Sequence, residues 1–213
     1  MASLFSYFRS SCSFRVRIVL AFLEQDYEYR SIHLLHAGGE QHFDDYKLLN
    51  PMAQVPSYLD EDIQLTQSVA IIEYLNAKFP DKEVIPKDII KAAKVREVTE
   101  IINSGIQPLQ NLKLLQTLKQ EFNMSEEQKI AWIIQVIENG FNAIEKKLLM
   151  NQKFCFDQFS MADAVLVPQV FNAIRFGVEL DKFPKIQSIY QNCMDLDYFK
   201  KAAPDQQPDT PKD

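Results

Sequence analysis

Apolar and polar positions divide the chain into two parts with different periodicities. In the first part, short apolar runs alternate with segments of helical spacing, which predicts the order β-α-β-α-β-β-α. The predicted elements are strands over 3–8 and 26–34, helices over 13–24 and 68–79, a short helix ending at Asn50-Pro51, and a hairpin over 55–68 that turns at Asp60-Glu61-Asp62. A βαβ unit followed by ββα forms a mixed sheet with helices on its faces.

The second part has helical spacing throughout. From Lys87 to about Leu149 apolar residues recur at this spacing, and Pro108 is expected to break the run. Two residue pairs have the spacing of helix-capping boxes, Ser125 with Gln128 and Ser160 with Asp163. We therefore predict an α-helical bundle domain over 87–203, which the linker PDKEVIP joins to an α/β domain over 1–80. Residues 204–213 are polar and rich in proline, and we expect them to be disordered.

Composition narrows the functional classes. The chain has 213 residues, of which 46% are hydrophobic, and 23 basic against 29 acidic side chains give a net charge of −6. This balance argues against broad binding to nucleic acids or anionic membranes. No apolar run has the length of a membrane span, and the N-terminal sequence does not resemble a secretory signal.

The cysteine and histidine residues favour a cytoplasmic protein without a structural metal. The three cysteines (Cys12, Cys155 and Cys193) lie far apart and show neither CxxC nor Cys/His ligand spacing. Reduced thiols in a cytosol are the simplest interpretation. The three histidines lie together between Ile32 and Phe43, which predicts a solvated loop cluster; a metal or acid–base role is the alternative.

Three hydroxyls and a thiol stand at the start of the first predicted helix, in FRSSCSFRVRIVL (Phe8–Leu20). This helix follows a strand, so its N-terminus lies at the carboxyl end of that strand, where open α/β sheets bind ligands. Unpaired N–H groups and the helix dipole stabilise an anion there, and a thiolate is an anion. Ser10, Ser11 and Cys12 are therefore candidate site residues. The alternative is that one serine caps the helix and the others are solvated.

Two further segments precede predicted elements. In Gln54-Val55-Pro56, a cis peptide bond would expose the Val55 backbone for pairing with an extended peptide, whereas a trans proline would open an edge strand; the residues alone leave both open. Thr66-Gln67-Ser68 precedes a second helix, whose N-terminus suits a carboxylate. The alternative there is an ordinary helix cap, with Ser68 as the capping residue.

Six segments lie in a characteristic order along nearly the whole chain. They are SYFRSSCSFRVRIVL, LLHAGGEQHFDDYKLLNPMAQVPSYL, TQSVAIIEYL, GIQPLQNLKLL, SMADAVLVPQVFNAIRFGVEL and QPDTP. Together they resemble the zeta-class glutathione transferases, a family also known as the maleylacetoacetate isomerases. The S-S-C-S-x-R-V-R segment is the most specific of them. Relatives usually carry tryptophan after S-S-C-S, where this chain has Phe14.

The resemblance implies the glutathione transferase fold, an N-terminal thioredoxin-like domain that binds glutathione and a C-terminal helical domain that binds substrate. It implies a cis bond before Pro56, with Val55 pairing with the cysteine backbone of glutathione. Ser10, Ser11 and Cys12 are the implied catalytic residues around the glutathione sulfur. The other implied glutathione-binding residues are Ser13, Phe14, Arg15, Gln41 at the glycine end, Val55, Pro56, Gln67 and Ser68 at the γ-glutamyl carboxylate, and Gln107 and Asn111 from the helical domain. Arg175 and Arg9 are the implied substrate-binding residues.

The implied activity is the isomerisation of maleylacetoacetate to fumarylacetoacetate in tyrosine and phenylalanine degradation, by reversible addition of the glutathione thiolate to the double bond. Two alternatives keep this chemistry, namely maleylpyruvate isomerisation and thiol displacement on small α-halo acids. A rival of another class is a non-catalytic interaction module of the same fold. The resemblance also implies a homodimer, and we expect no metal.

Overall fold

The computed structural model describes residues 1–61 and 63–211 and divides the chain into two compact units. The first unit comprises Met1–Val84 together with the segment from Met194 onward, and the second comprises Ile85–Cys193. Asp62 of the predicted hairpin turn, and Lys212 and Asp213 of the predicted tail, lie outside the described residues. No helix within the described ranges is long and apolar enough to cross a membrane.

A four-stranded mixed sheet forms the centre of the first unit, with strand order β2-β1-β3-β4. The strands are β1 (Ala2–Ser6), β2 (Tyr27–Ser31), β3 (Ser57–Asp60) and β4 (Ile63–Thr66). β1 is parallel to β2 and antiparallel to β3, and β4 is antiparallel to β3. Leu4 sits in the middle of this sheet, opposite Tyr29 on one side and Tyr58 on the other. The predicted mixed sheet and its element order are confirmed.

In the described part of the first unit, the α-helices are α1 (Ser11–Phe22), α2 (Asp44–Leu49), α3 (Ser68–Lys78) and, from the end of the chain, α9 (Asp197–Ala202). Every residue of α1 from Ser13 to Leu20 is buried, because the helix packs against both α3 and α9. This two-sided burial explains why Ser13–Leu20 has no apolar stripe opposite an exposed polar face.

The second unit is the predicted helical bundle. Its helices are α4 (Ile89–Asn103), α5 (Leu112–Phe122), α6 (Glu126–Lys147), α7 (Met161–Arg175) and α8 (Pro184–Met194). Pro108 falls in a short 3₁₀ turn between α4 and α5, as the predicted break requires. Both predicted capping boxes are present, one opening α6 and the other opening α7. The whole stretch Met161–Val170 of α7 is buried, so α7 is the central helix of this unit.

The predicted domain boundary at residue 203 is wrong, and so is the disorder predicted for the tail. α9 packs on α1 of the first unit, with the rings of Phe22 and Tyr198 5.4 Å apart. The chain then forms a 3₁₀ turn over Pro204–Gln206, and the Gln207 side chain is buried and donates to the Ala203 carbonyl at 2.7 Å. The first unit is therefore discontinuous in sequence, since the end of the chain returns to it.

The prediction that Ser68 caps α3 is also wrong. The capping position is Gln67, whose backbone has a positive φ of 71°, and Ser68 is the first residue inside the helix. The Ser68 hydroxyl is consequently turned to a different partner, the buried side chain of Arg15.

Candidate active site

The start of α1 presents the residues singled out in the sequence. Ser10 is the capping residue, and its hydroxyl oxygen accepts a hydrogen bond from the Ser13 backbone N–H at 3.2 Å. Ser11 and Cys12 open the helix and are half-buried, and the Cys12 thiol is free. A Ser10 oxygen that accepts from Ser13 still leaves its O–H free to donate, so the cap and a donor role are compatible.

A tight turn connects β1 to this helix. The Ser10 N–H donates to the Tyr7 carbonyl at 3.0 Å, which closes the turn over Tyr7–Ser10. Arg9 is exposed on this turn; its guanidinium donates to the Tyr7 hydroxyl at 3.3 Å and lies 5.4 Å from the centre of the Phe8 ring. The Arg9 charge is therefore held against two aromatic rings one residue before the helix cap.

Arg15 links the starts of α1 and α3. Its side chain is fully buried and donates to the Ser68 hydroxyl at 3.1 Å. Gln67, next to Ser68, is exposed. The N-terminus of α3 thus has a buried positive charge behind it, which adds to the partial positive charge of the helix end. An anionic group is favoured at this position.

The peptide bond between Val55 and Pro56 is cis. The carbonyl of Gln54, directly before it, accepts hydrogen bonds from the Tyr46 hydroxyl and the Asn50 side chain, both at 2.7 Å. Burial raises the pKa of Tyr46 to about 12, so its hydroxyl remains a donor at neutral pH. Among the described residues, the backbone N–H and C=O of Val55 have no hydrogen-bond partner. They are available to pair with an extended peptide.

The loop after β2 contributes Gln41. Glu40 and His33 close this loop, since the Glu40 carboxylate accepts from the His33 N–H at 2.6 Å and the His33 carbonyl accepts from the Glu40 N–H at 2.9 Å. The Gln41 amide donates to the Leu34 carbonyl at 3.4 Å, while its buried oxygen has no partner in the described part of the chain. Gly39 lies under this amide, where a Cβ atom would be 2.5 Å from the Gln41 nitrogen.

These four segments meet at one end of the sheet. The side chain of Val55 belongs to a buried cluster with Tyr7 and Phe8 of the β1–α1 turn. The Tyr7 ring is also in edge-to-face contact with the His33 ring, 5.0 Å away, and Arg15 ties the start of α1 to the start of α3. Two helix N-termini, an unpaired backbone segment and a buried amide therefore surround one region. This arrangement suits a small peptide that carries a thiolate and a carboxylate.

Arg175 is the last residue in a series of polar side chains that hydrogen bonds join within the second unit. Its guanidinium donates to Asn172 at 2.8 Å, Asn172 donates to Gln110 at 2.9 Å, and Gln110 donates to Gln169 at 2.7 Å. Gln110 and Gln169 are buried, whereas Arg175 is exposed. The buried amides thus fix the orientation of an exposed cation. Asn172, Gln110 and Gln169 were not singled out in the sequence, because only their contacts reveal the series.

The two polar residues predicted from the helical part, Gln107 and Asn111, flank Pro108. Gln107 begins the 3₁₀ turn and is half-buried. Asn111 caps α5, with its side-chain oxygen accepting from the Leu114 N–H at 2.9 Å. Among residues 1–61 and 63–211, no acceptor is recorded for the Asn111 amide nitrogen.

Comparison with known proteins decides the family. The profile of the glutathione S-transferase N-terminal domain matches residues 2–77. The maleylacetoacetate isomerase of Mus musculus is 47% identical to this chain, over 98% of the chain and 94% of its own length. The chain belongs to the zeta-class glutathione transferase and maleylacetoacetate isomerase family.

Two solved structures of this family share its fold over the full length. A bacterial maleylpyruvate isomerase described as a zeta-class glutathione transferase has a TM-score of 0.93 and 36% identity, covering 98% of this chain and 100% of that one. The maleylacetoacetate isomerase of Anaeromyxobacter dehalogenans 2CP-1, solved with dicarboxyethyl glutathione and citrate in its active site, has a TM-score of 0.87 and 34% identity, covering 100% and 98% of the two chains.

The structure also shows what the other residues of the S-S-C-S-x-R-V-R segment contact in this chain. Phe14, in the position where relatives usually have tryptophan, is buried and lies 5.3 Å from the Arg17 guanidinium, so it packs the helix. Ser13 is buried, and its hydroxyl has no hydrogen-bond partner within residues 1–61 and 63–211. Arg17 was only part of a motif in the sequence, yet its buried guanidinium donates to the carbonyls of Tyr7, Phe8 and Ala202 and to the Ser6 hydroxyl.

Proposed function

We propose that this protein catalyses the glutathione-dependent cis–trans isomerisation of maleylacetoacetate to fumarylacetoacetate, a step of tyrosine and phenylalanine degradation. The observation that carries the proposal is the meeting of the Ser10-Ser11-Cys12 helix start, the unpaired Val55 backbone and the start of α3 at one end of the sheet. Full-length similarity to proteins named maleylacetoacetate isomerase supports the choice of reaction.

The residues present fit glutathione. Among the described residues, the backbone N–H and C=O of Val55 and the buried amide oxygen of Gln41 have no partner; we assign the Val55 groups to the cysteine residue of the tripeptide and the Gln41 oxygen to its glycine end. The start of α3, with Gln67, Ser68 and the buried charge of Arg15, suits the γ-glutamyl carboxylate. A solved relative described as having glutathione in its active site, and another described with bound malonate and glutathione, support this assignment.

When bound, glutathione would supply the thiolate for reversible addition to the conjugated double bond. Rotation about the resulting single bond, followed by breaking of the C–S bond, would give the trans isomer and regenerate the thiolate. The protein's part is to hold the sulfur in its ionised form. The Ser10 and Ser11 hydroxyls would donate hydrogen bonds to it, and the first turn of α1 would add unpaired N–H groups and the helix dipole. Cys12, the next residue of this turn, would lie near the same sulfur. No metal is needed for this role.

Positive side chains orient the substrate. We assign Arg175 to a substrate carboxylate because Asn172 holds its guanidinium while leaving it exposed. Arg9, held on the aromatic turn beside Ser10, is the second candidate cation. By the resemblance, Gln107 and Asn111 are assigned to glutathione binding, and both side chains contain amide N–H donors. Fixed cations and donors raise the rate by holding reactants in the productive orientation.

The test is conversion of maleylacetoacetate to fumarylacetoacetate by the purified protein, with and without glutathione. We expect fast conversion only when glutathione is present. If glutathione binds but maleylacetoacetate is not converted, the proposed substrate is wrong and the thiolate acts on a different one. Failure to bind glutathione, measured by calorimetry or by a shift in melting temperature, would instead favour a non-catalytic interaction module of the same fold.

Maleylpyruvate isomerisation is the second candidate. The similarity in fold to a maleylpyruvate isomerase, with a TM-score of 0.93, favours it over displacement on small α-halo acids. Because the same stabilised thiolate serves all three reactions, a panel of maleylacetoacetate, maleylpyruvate and chloroacetate at equal concentration ranks them by kcat/KM. The highest value for maleylacetoacetate is the expected result.

We also propose a cytoplasmic homodimer, as the family resemblance implies. Free thiols at Cys12, Cys155 and Cys193 are consistent with a reducing compartment. Sedimentation equilibrium of the purified protein measures the assembly state, and a monomer at micromolar concentration would contradict the dimer.

A further inference from the structure

A residue near the end of the chain makes a hydrogen bond to the β1–α1 turn, which leads into α1. The half-buried carboxylate of Asp209 accepts a hydrogen bond from the Phe8 backbone N–H at 3.0 Å. The same carboxylate accepts from the Tyr29 hydroxyl at 2.6 Å and from the Ser31 hydroxyl at 3.3 Å. A residue close to the C-terminus is therefore fixed to β2 and to the β1–α1 turn at once.

Arg17 holds the other side of the same turn. Its guanidinium is 1% exposed and donates to the carbonyls of Tyr7 and Phe8 at 3.3 Å and 2.9 Å. It also donates to the Ala202 carbonyl at the end of α9, at 3.0 Å. Both backbone groups of Phe8 are thus engaged by side chains, the N–H by Asp209 and the C=O by Arg17.

The tail is itself ordered by contacts that do not involve the turn. Gln207 donates to the carbonyls of Lys201 and Ala203, and the Thr210 hydroxyl donates to the Pro204 carbonyl. Burial, followed by the hydrogen bond to Asp209, raises the pKa of Tyr29 above its ordinary value, so its hydroxyl stays protonated at neutral pH and remains a donor. These contacts accordingly hold the Asp209 carboxylate in position independently of its hydrogen bond to the Phe8 N–H.

We propose that Asp209 is a positioning residue for the active site: through the Phe8 N–H it sets the β1–α1 turn and hence the placement of the Ser10 and Ser11 hydroxyls. This inference rests on the proposed role of those hydroxyls in stabilising the glutathione thiolate. A displacement of about 1 Å at a reacting centre can cost about 10²-fold in rate, so a small shift of the turn has a measurable effect.

Three variants and one control variant test the proposal. Asp209→Ala removes the acceptor, and Asp209→Asn keeps an oxygen for Phe8 while removing the charge. Asp205→Ala is the matched control, because Asp205 lies in the same tail, is exposed and accepts only from the side chain of the neighbouring Gln206 among the described residues. Tyr29→Phe removes the hydrogen bond at 2.6 Å that holds Asp209, so the carboxylate is held less firmly against the Phe8 N–H, and exchange over 8–12 is expected to rise by a smaller factor than in Asp209→Ala.

The first measurement is hydrogen–deuterium exchange of the peptide covering 8–12 in the protein without glutathione. Asp209→Ala is expected to speed this exchange at least about tenfold, with Asp209→Asn and Asp205→Ala close to wild type. The second measurement is the pKa of the thiol of bound glutathione, followed by thiolate absorbance. It is expected to rise by about one unit in Asp209→Ala, with a matching loss in kcat rather than in KM.

The outcomes separate positioning from other roles. Unchanged exchange over 8–12 and an unchanged thiol pKa in both Asp209→Ala and Tyr29→Phe would overturn the proposal, and if Asp209→Ala does not fold, Tyr29→Phe decides alone. A lower thiol pKa in Asp209→Ala and Asp209→Asn alike would also overturn it, because loss of a negative charge acting through space has that sign. Exchange and thiol titration need no isomerase assay, so a protein that fails to convert maleylacetoacetate still tests the positioning role.

Discussion

The hydroxyls of Ser10 and Ser11 have separable roles, and substitution by alanine distinguishes them. The Ser10 oxygen accepts from the Ser13 N–H at 3.2 Å and caps α1. The Ser11 side chain makes no hydrogen bond to any residue that the structure describes. Ser10→Ala therefore removes a helix cap and a donor to the thiolate, whereas Ser11→Ala removes only the donor.

The magnitudes follow from these contacts. Loss of a helix cap lowers the free energy of unfolding by about 1 kcal/mol. A hydrogen bond to a charged group contributes roughly 1.5–3 kcal/mol, which corresponds to about one to two pKa units of the acceptor. Each alanine variant is therefore expected to raise the pKa of the bound glutathione thiol by at least about one unit. Only Ser10→Ala is also expected to lower the stability, by about 1 kcal/mol.

The assay combines a pH titration of thiolate absorbance in the glutathione complex with urea unfolding of the free protein. Ser125→Ala is the matched control, because the Ser125 oxygen caps α6 by accepting from the Gln128 N–H at the same distance of 3.2 Å. It is expected to cost about as much stability as Ser10→Ala and to leave the thiol pKa unchanged.

The role assigned to the hydroxyls would be refuted if Ser10→Ala, Ser11→Ala and the double variant all kept the wild-type thiol pKa and turnover. Cys12→Ala provides a check on the chemistry itself, and only a mild loss of activity is expected from it. Complete inactivation of Cys12→Ala would mean that the protein's own sulfur, and not that of glutathione, is the nucleophile.

Three further predictions concern other residues. Asn172→Ala should raise KM for the dicarboxylate substrate about five- to tenfold and leave glutathione affinity unchanged, because Arg175 loses its hydrogen bond at 2.8 Å. Gly39→Ala should lower glutathione affinity by at least about tenfold, since its Cβ would come within 2.5 Å of the Gln41 amide on a backbone with φ of 100°. Burial raises the pKa of Asp163 from 3.8 to about 6, so the folded state binds the extra proton between these values. The stability advantage of wild type over Asp163→Asn should shrink by no more than about 3 kcal/mol as pH rises from 4 to 7.

Each of these predictions has its own check. Steady-state kinetics with varied substrate tests Asn172→Ala, and an unchanged KM would contradict the orienting role. Gly38→Ala is the control for Gly39→Ala, because Gly38 also has a positive φ but nothing lies within 4 Å of its added Cβ. Urea unfolding at several pH values tests Asp163→Asn, and parallel stability curves for the two proteins would show that the buried carboxyl does not titrate in this range.

Local pattern predicted the first unit well because its elements carry their own signals. The alternation of short apolar runs with helical spacing is enough to give the order of strands and helices along the chain, whereas the strand order within the sheet comes from the structure. The Val55-Pro56 bond shows the limit of such reasoning. The residues alone left its isomer open; the bond is cis, and Tyr46 and Asn50, which lie several residues earlier, donate hydrogen bonds to the carbonyl directly before it.

The tail could not be predicted from composition because its stabilising partners are distant in sequence. A polar, proline-rich segment buries little apolar area, which ordinarily predicts disorder. The Asp209 carboxylate nevertheless accepts three hydrogen bonds from the β1–α1 turn and from β2, which lie about two hundred residues earlier in the chain. Arg17 is a comparable case, since nothing in an apolar helix indicates that one arginine will be fully buried on backbone carbonyls.

The series of hydrogen-bonded side chains that ends at Arg175 was missed for a similar reason. Gln110 and Gln169 are separated by fifty-nine positions, and their contact exists only once α7 packs in the second unit. Residue type alone identified the cation, and packing identified the residues that orient it. Ser68 illustrates the converse, since its type predicted a cap and the positive φ of Gln67 placed it inside the helix, where Arg15 binds it.

The measurement that tests the central claim most directly is the glutathione balance during turnover of maleylacetoacetate. The purified protein is given substrate in large excess over glutathione, and both fumarylacetoacetate and free thiol are followed. Because the thiolate adds and leaves in each cycle, we predict many product molecules per glutathione with no loss of thiol. Product formation that stops when glutathione is consumed, or that proceeds equally without it, would contradict the account.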